Sequence, residues 1–115
     1  MARAHRARVV HKVTRYWPHL HRQEIMEVLD QYGAESTERG RARVQLAILK
    51  LSEGEIERLA DLVAMAKRDY QDVLAYAEYP EAMKLGFVGM QALSPEESEA
   101  VRRRDREQYR SWLEA

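Results

Sequence analysis

The chain has 115 residues, with 19 Lys and Arg against 19 Asp and Glu, and it contains no cysteine. This length predicts one domain with a sizeable core, and the absence of cysteine excludes disulfides, zinc–thiolate sites and thiol nucleophiles. No apolar run approaches the roughly 18 residues of a membrane span, so we expect a soluble, cytoplasmic protein with no membrane partner.

The balanced net charge hides a basic beginning. Residues 1–23 contain six Lys and Arg, all four histidines and no acidic residue. We expect residues 1–16 to form a basic arm or helix and residues 17–115 to form a single helical domain. The basic segment either folds back on the acidic body or binds nucleic acid, since arginine pairs with phosphates and aromatic rings stack on bases. The candidate nucleic-acid-binding residues are Arg3, Arg6, Arg8, Lys12, Arg15, Trp17 and Arg22.

The apolar residues recur at helical spacing, and no segment alternates as a strand would, so the pattern predicts an all-α protein. A first helix over about residues 4–16 ends before Pro18. The stretch "PHLHRQEIMEVLDQYG" predicts a second helix that ends at Gly33, where glycine can adopt a left-handed cap. Ser36 or Thr37 is expected to cap a third helix.

The stretch "LSEGEI" predicts the start of a long helix. Ser52 and Glu55 have the spacing of a capping box, and Leu51 and Ile56 that of a hydrophobic staple. The helix is expected over about residues 53–79, roughly 40 Å at 1.5 Å per residue, and Pro80 ends it. We therefore predict a bundle of four to five helices organised on this central helix.

Beyond Pro80, "EAMKL" predicts a short helical turn, and the apolar "GFVGMQAL" is expected to lie on the bundle or under a partner. Its large residues are Phe87, Val88, Met90 and Leu93. In "SPEE", Ser94 and Glu97 predict a capping box at the start of the last helix, which reaches about Leu113.

The long helix has two contacted faces when its residues are placed at 100° intervals. One face is an apolar core stripe that includes Tyr70. The second face carries apolar, acidic and aromatic residues at the spacing of a helix-packing seam: Leu62, Met65, Asp69, Asp72, Tyr76 and Tyr79. Three interpretations remain open for this row: internal core packing, a self-associating dimer surface, or a catalytic pocket that uses Asp69 or Asp72 with Tyr76.

Local motifs of enzymes are missing, including phosphate-binding glycine loops, nucleophile elbows and paired-histidine metalloprotease signatures. His19 and His21, two positions apart on a helix, point about 200° away from each other and cannot share a metal. We expect no catalytic residue, no metal and no cofactor. The favoured function is a non-enzymatic protein-interaction module that forms a homodimer and binds an unknown protein partner. Nucleic-acid binding is the alternative, and an Asp/Tyr enzyme is the third hypothesis.

Three stretches together resemble a family of small bacterial proteins of uncharacterised function: "ERGRARVQLAILKLSEGEIERLADLV", "AKRDYQDVLAYAEYPE" and "SPEESEAVRRRDREQYRSWL". The resemblance covers about Trp17 to Leu113. It implies a bacterial source and an all-helical fold, and it carries over no site residue.

Overall fold

The structure is a computed structural model that describes residues 6–18 and 22–115. Within these residues the chain forms six helices and no strand, so the predicted all-α class is confirmed. The helices are α1 Arg6–Tyr16, α2 Arg22–Leu29, α3 Arg41–Ser52, α4 Ile56–Glu78, α5 Pro80–Gln91 and α6 Pro95–Glu114. Residues 1–5 and 19–21 lie outside the described residues, and with them Arg3, His19 and His21.

Helix α3 is the most deeply buried element. Each of residues 44–49 is at most 1% exposed, because α1 packs on one side of the helix and α4 on another. Gln45 is the polar member of this run, and its side chain is fully engaged. Its Nε2 donates to the carbonyls of Leu29 at 2.8 Å and Tyr32 at 3.1 Å, and its Oε1 accepts from Arg6 at 2.5 Å. Gln45 therefore joins α1, α2 and α3 at one buried point.

Helix α4 contacts α2, α3, α5 and α6, so the bundle is organised on it as predicted. Its start differs from the expectation. Glu53 has a left-handed φ of 53° and Gly54 a φ of 78°, which makes a corner between α3 and α4. At this corner the Ser52 hydroxyl donates to the Leu49 carbonyl at 2.7 Å, and the side chain of Glu55, the N-cap of α4, accepts no capping hydrogen bond. The capping box predicted at Ser52 and Glu55 was therefore wrong.

The cap predicted at Ser36 or Thr37 was also wrong. Helix α3 begins after Gly40, which adopts a left-handed conformation with φ 58° and ψ 44°. In the loop before it, the Glu38 carboxylate accepts hydrogen bonds from the amides of Gly33 at 2.9 Å and Glu35 at 3.2 Å. The Glu38 carboxylate thus stabilises the loop by accepting hydrogen bonds from backbone amides of the loop. No serine or threonine cap is used here.

The basic segment over residues 6–16 packs on the rest of the molecule. Val9 and Val13 of α1 are fully buried and belong to the same core cluster as residues from α2, α3 and α4. The Arg6 guanidinium forms an ion pair with Asp30 at 2.6 Å. Apolar burial and this ion pair together hold α1 against α2 and α3.

At the other end of the chain, the capping box predicted in "SPEE" is confirmed. The Ser94 hydroxyl accepts from the Glu97 amide at 3.1 Å, and the Glu97 carboxylate accepts from the Ser94 amide at 2.9 Å. Pro95 follows in the first turn of α6, where its missing N–H costs no hydrogen bond.

Candidate interaction surface

Large apolar side chains are exposed mainly in one part of the described chain. Eight large apolar residues among the described residues are exposed, and six of them lie between residues 76 and 88: Tyr76, Tyr79, Met83, Leu85, Phe87 and Val88. Phe87 and Val88 are the most exposed, at 79% and 80%. We call these six residues the α4–α5 patch. A contiguous apolar patch on a folded domain is typical of a binding surface.

The patch is exposed because α5 lies on the outside of the bundle and contributes no buried residue. Its N-terminus is held instead by the fully buried Asp105 of α6, which accepts from the amides of Glu81 at 2.9 Å and Ala82 at 3.1 Å. An ion pair between Arg104 and Glu81 at 2.8 Å adds to this attachment. Polar contacts at one end thus fix a helix whose apolar residues remain in solvent.

Gly86 interrupts α5 in the middle with φ 71° and ψ 179°. This conformation is essentially restricted to glycine, and it reorients the chain immediately before Phe87. The sequence predicted that "GFVGMQAL" lies on the bundle or under a partner. Phe87 and Val88 are open to solvent and do not lie on the bundle, so for these two residues contact with a partner stays a prediction.

An open groove of about 640 Å³ runs beside the patch, between α5, the end of α4 and the beginning of α6. Small residues Ala75, Ala82 and Gly86 line part of it, and the Arg102 side chain contributes a cation. The larger apolar residues that line it are Tyr79, Met83, Phe87, Met90 and Leu93. The groove is apolar enough to bind hydrophobic side chains and carries a charge that can orient a partner.

The break in α4 divides the row that the sequence predicted as one surface. Asp69 has non-helical angles of φ −156° and ψ 91°, and its carboxylate accepts from the Gln71 amide at 3.0 Å, as an N-cap of the second half of the helix does. Before the break, Leu62 and Met65 are half-buried against the core.

After the break, Tyr76 and Tyr79 are exposed at 49% and 44% and belong to the patch. Asp72 is also exposed and lies on the same helix face, one turn before Tyr76 and two turns before Tyr79. Of the predicted row, Tyr79 lines the groove, whereas Asp72 and Tyr76 are exposed on the same half of α4 without lining it. The placement at 100° intervals assumed an uninterrupted helix, and it missed Met83, Leu85, Phe87 and Val88 because they lie on the next helix.

The catalytic interpretation of the row required a closed pocket where Asp69 or Asp72 meets Tyr76. All three side chains are exposed, and the Asp69 carboxylate is engaged as a cap. A carboxylate needs partial desolvation or a close charged partner for the shifted pKa that acid–base catalysis uses. In the part of the chain that the structure describes, these three side chains lie on the exposed surface.

The residues predicted to bind nucleic acid fall into two groups in the structure, those with contacts inside the molecule and those that are exposed. Arg6 pairs with Asp30, and Lys12 is almost completely buried against α6. Trp17 is half-buried and packs on Tyr16, with 5.5 Å between ring centroids. Arg8, Arg15 and Arg22 remain exposed.

A polar junction lies at the end of α4, where this helix meets α3 and α6. Arg43 of α3 donates two hydrogen bonds to the buried Glu78 carboxylate, at 2.9 and 2.7 Å. Gln108 of α6 donates to the Ala77 carbonyl at 3.2 Å. Burial, together with the nearby Glu78, raises the pKa of Tyr109 well above its usual range, so this phenol stays neutral. The junction holds the end of α4 in place and so positions the two tyrosines of the patch.

Among residues 6–18 and 22–115, no group of three or more histidine, aspartate and glutamate side chains is arranged to hold a metal ion. In the same residues, no helix combines the length and the hydropathy needed to cross a lipid bilayer.

Comparison of the chain with protein-family profiles, with curated proteins and with solved structures found no significant match.

Proposed function

We propose that this protein is a helical interaction module that self-associates through the α4–α5 patch. The observation that carries the proposal is the concentration of exposed large apolar side chains between residues 76 and 88. Tyrosine, phenylalanine and methionine are enriched at protein interfaces relative to other surfaces. None of the patch residues is charged, and most of them lie on α5, a helix that has no buried residue of its own. Tyr76, Tyr79 and Phe87 supply rigid aromatic anchors.

The energetic reason for association is the exposed state of Phe87. Its ring is 79% exposed in the single chain, and burying a phenylalanine side chain fully is worth about 2 kcal/mol. A twofold interface would bury each patch residue twice, once in each copy. The rigid attachment of α4 and α5 through Glu78 and Asp105 favours this surface as a preformed site, which lowers the ordering cost of binding.

Sedimentation velocity over a range of micromolar concentrations tests the proposal. The unmodified chain should form dimers, and Phe87→Glu should release monomers because it places a charge in the buried centre of the interface. Circular dichroism should show unchanged helical content, since Phe87 makes little contact with the core.

The matched control is Ile56→Glu. Ile56 is a large apolar residue that is 41% exposed and lies at the opposite end of α4 from the patch. This variant should associate as the unmodified chain does. A strict monomer at high micromolar concentration, or a Phe87→Glu variant that still associates fully, would contradict self-association through the patch.

Nucleic-acid binding is placed second. The sequence predicted seven residues for the nucleic-acid-binding surface, but two of them, Arg6 and Lys12, make contacts within the molecule. Arg8 and Arg15 remain on the exposed side of α1, and phosphate binding gains strength with each cation that is free to contact the backbone. The smaller number of accessible cations weakens this alternative relative to the interaction module.

A further inference from the structure

We propose that the groove beside the α4–α5 patch binds a second copy of this chain in a twofold arrangement. Phe87 of each copy enters the groove of the other, and Asp72 of each copy pairs with Arg102 of the other. This inference rests on the proposed function and specifies how the two copies fit together.

The first argument is shape. Phe87 lines the groove with 79% of its surface exposed, and the small residues Ala75, Ala82 and Gly86 line other parts of the same groove. A twofold interface uses the same surface on both copies, so that surface must contain both a projection and a recess. The projecting ring and the small-residue recess occur here within one surface.

The second argument is the placement of charge at the two ends of the groove. Helix α6 runs antiparallel to α4, because Gln108 contacts Ala77 whereas Asp105, earlier in α6, contacts Glu81 and Ala82 beyond the end of α4. Arg102 therefore lies toward the α5 end of the groove. Asp72 does not line the groove; it is exposed on α4 one helical turn before the groove-lining Ala75, and so lies just beyond the other end of the groove.

Opposite charges at opposite ends make the surface self-complementary. A rotation of 180° brings the acidic end of one copy to the basic end of the other, and it does so twice. Two copies in this arrangement gain two ion pairs across the interface, whereas a partner with a neutral surface would offer neither charge a counterpart.

The third argument is that both charges are available for binding. Within residues 6–18 and 22–115 neither Asp72 nor Arg102 forms a close ion pair, both side chains are exposed, and Arg102 has only a longer-range electrostatic interaction with Glu99. Glu99, one turn before Arg102 on α6, forms its ion pair with Arg106 at 2.8 Å. Because both charges are exposed, pairing across copies breaks no close ion pair of Asp72 or Arg102.

Charge reversal tests the arrangement with sedimentation velocity on folded, full-length chains. Asp72→Arg and Arg102→Asp should each weaken self-association by about tenfold or more, since each variant brings like charges together at both ends of the interface. Mixing the two variants should restore association as a one-to-one heterodimer. In the mixture the arginine introduced at position 72 of one copy would face the aspartate introduced at position 102 of the other. At the far end the unchanged Asp72 would face the unchanged Arg102, so both ends are again of opposite charge.

Two control variants carry the same charge changes outside the groove. Asp61→Arg changes an exposed aspartate in the first half of α4, and Arg103→Asp changes the exposed arginine next to Arg102 that does not line the groove. Both should associate as the unmodified chain does. Thermal melts followed by circular dichroism should show that all four variants fold, since none of these positions is buried.

The outcomes separate the two proposals. Dimers that dissociate with Phe87→Glu but are unaffected by either charge reversal would overturn the arrangement and leave the proposed function standing. A mixture that fails to restore association after both single variants have lost it would also overturn the arrangement. If the unmodified chain is strictly monomeric and a different protein binds the patch, self-association itself would be overturned.

Discussion

The ammonium group of Lys12 lies over the indole ring of Trp112, 4.5 Å from the ring centroid, and donates a hydrogen bond to the Trp112 carbonyl. It also donates to the Ala115 carbonyl at 3.2 Å. Burial, with a contribution from the nearby Arg15, lowers the pKa of this ammonium. A lysine near the end of a helix can satisfy the last carbonyls, which have no partner within the helix. Lys12 thus joins α1 to the end of α6. It is one of the residues predicted to bind nucleic acid, and in the structure it caps the end of α6.

The contacts of Lys12 predict a loss of stability in Lys12→Met. Methionine keeps the apolar part of the side chain but removes the hydrogen bonds and the cation–π contact, so the free energy of unfolding should fall by about 1 to 3 kcal/mol. Urea denaturation followed by tryptophan fluorescence measures the change. Arg15→Met is the matched control on the exposed side of α1 and should change the free energy of unfolding by less than about 0.5 kcal/mol. Equal effects of the two substitutions would show that the contact with Trp112 contributes nothing.

The buried carboxylate of Asp105 predicts a local effect on α5. Asp105→Asn replaces one accepting oxygen by an amide nitrogen, which cannot accept from the Glu81 or Ala82 N–H group, and we expect a cost of about 2 kcal/mol. Because α5 has no buried residue to hold it, its first turn should open more often. Amide hydrogen exchange at Glu81 and Ala82 should therefore become faster by about tenfold or more.

A second capping variant provides the control for Asp105. Ser94→Ala removes the cap of α6 and should cost about 1 kcal/mol, but it should leave exchange at Glu81 and Ala82 nearly unchanged. If Asp105→Asn lowers global stability without faster exchange at these two amides, its role in holding α5 would be disproved.

The position of Tyr109 predicts how stability changes in alkaline solution. Its pKa is raised in the folded chain, whereas in the unfolded chain it should titrate near 10. Between these two values the unfolded state releases a proton that the folded state keeps, so stability falls as the pH rises. The stabilisation present below pH ~10 is thus lost above it, with a slope of up to about 1.4 kcal/mol per pH unit.

Tyr109→Phe removes this ionisable group and keeps a ring stacked on Trp112, which lies 5.7 Å away between centroids. Urea denaturation in steps from neutral pH to about pH 11 compares the two proteins across the titration of tyrosine. Above pH ~10 the unmodified protein should lose stability more steeply than the variant. Parallel curves over the whole range would exclude Tyr109 as the source of the pH dependence.

Local patterns predicted those features that depend on neighbouring residues alone. The capping box of Ser94 and Glu97 formed because all of its partners lie within one turn of the chain. The same pattern at Ser52 and Glu55 failed because the Ser52 hydroxyl bonds instead to the carbonyl of Leu49, at the end of the preceding helix. A short motif of this kind identifies a cap only where no other helix end competes for the same hydroxyl.

The candidate site shows the same limit at a larger scale. Helical spacing was enough to assign Tyr76 and Tyr79 to a surface of α4 other than its core stripe, because both residues lie on one face of the second half of this helix. Phe87 and Val88 were recognised as apolar but not as exposed, since their environment depends on the left-handed Gly86 and on the attachment of α5 to Asp105, a residue of the following helix.

The sequence by itself determined the all-α class and the basic character of the first segment, because helical periodicity and charge are properties of the chain alone. The tertiary structure decided which of those basic residues make internal contacts, as Lys12 does with Trp112, and which apolar residues remain exposed to solvent. Burial depends on contacts between distant helices. No local pattern specifies those contacts, and so the groove between α5 and α6 could be found only from the packed molecule.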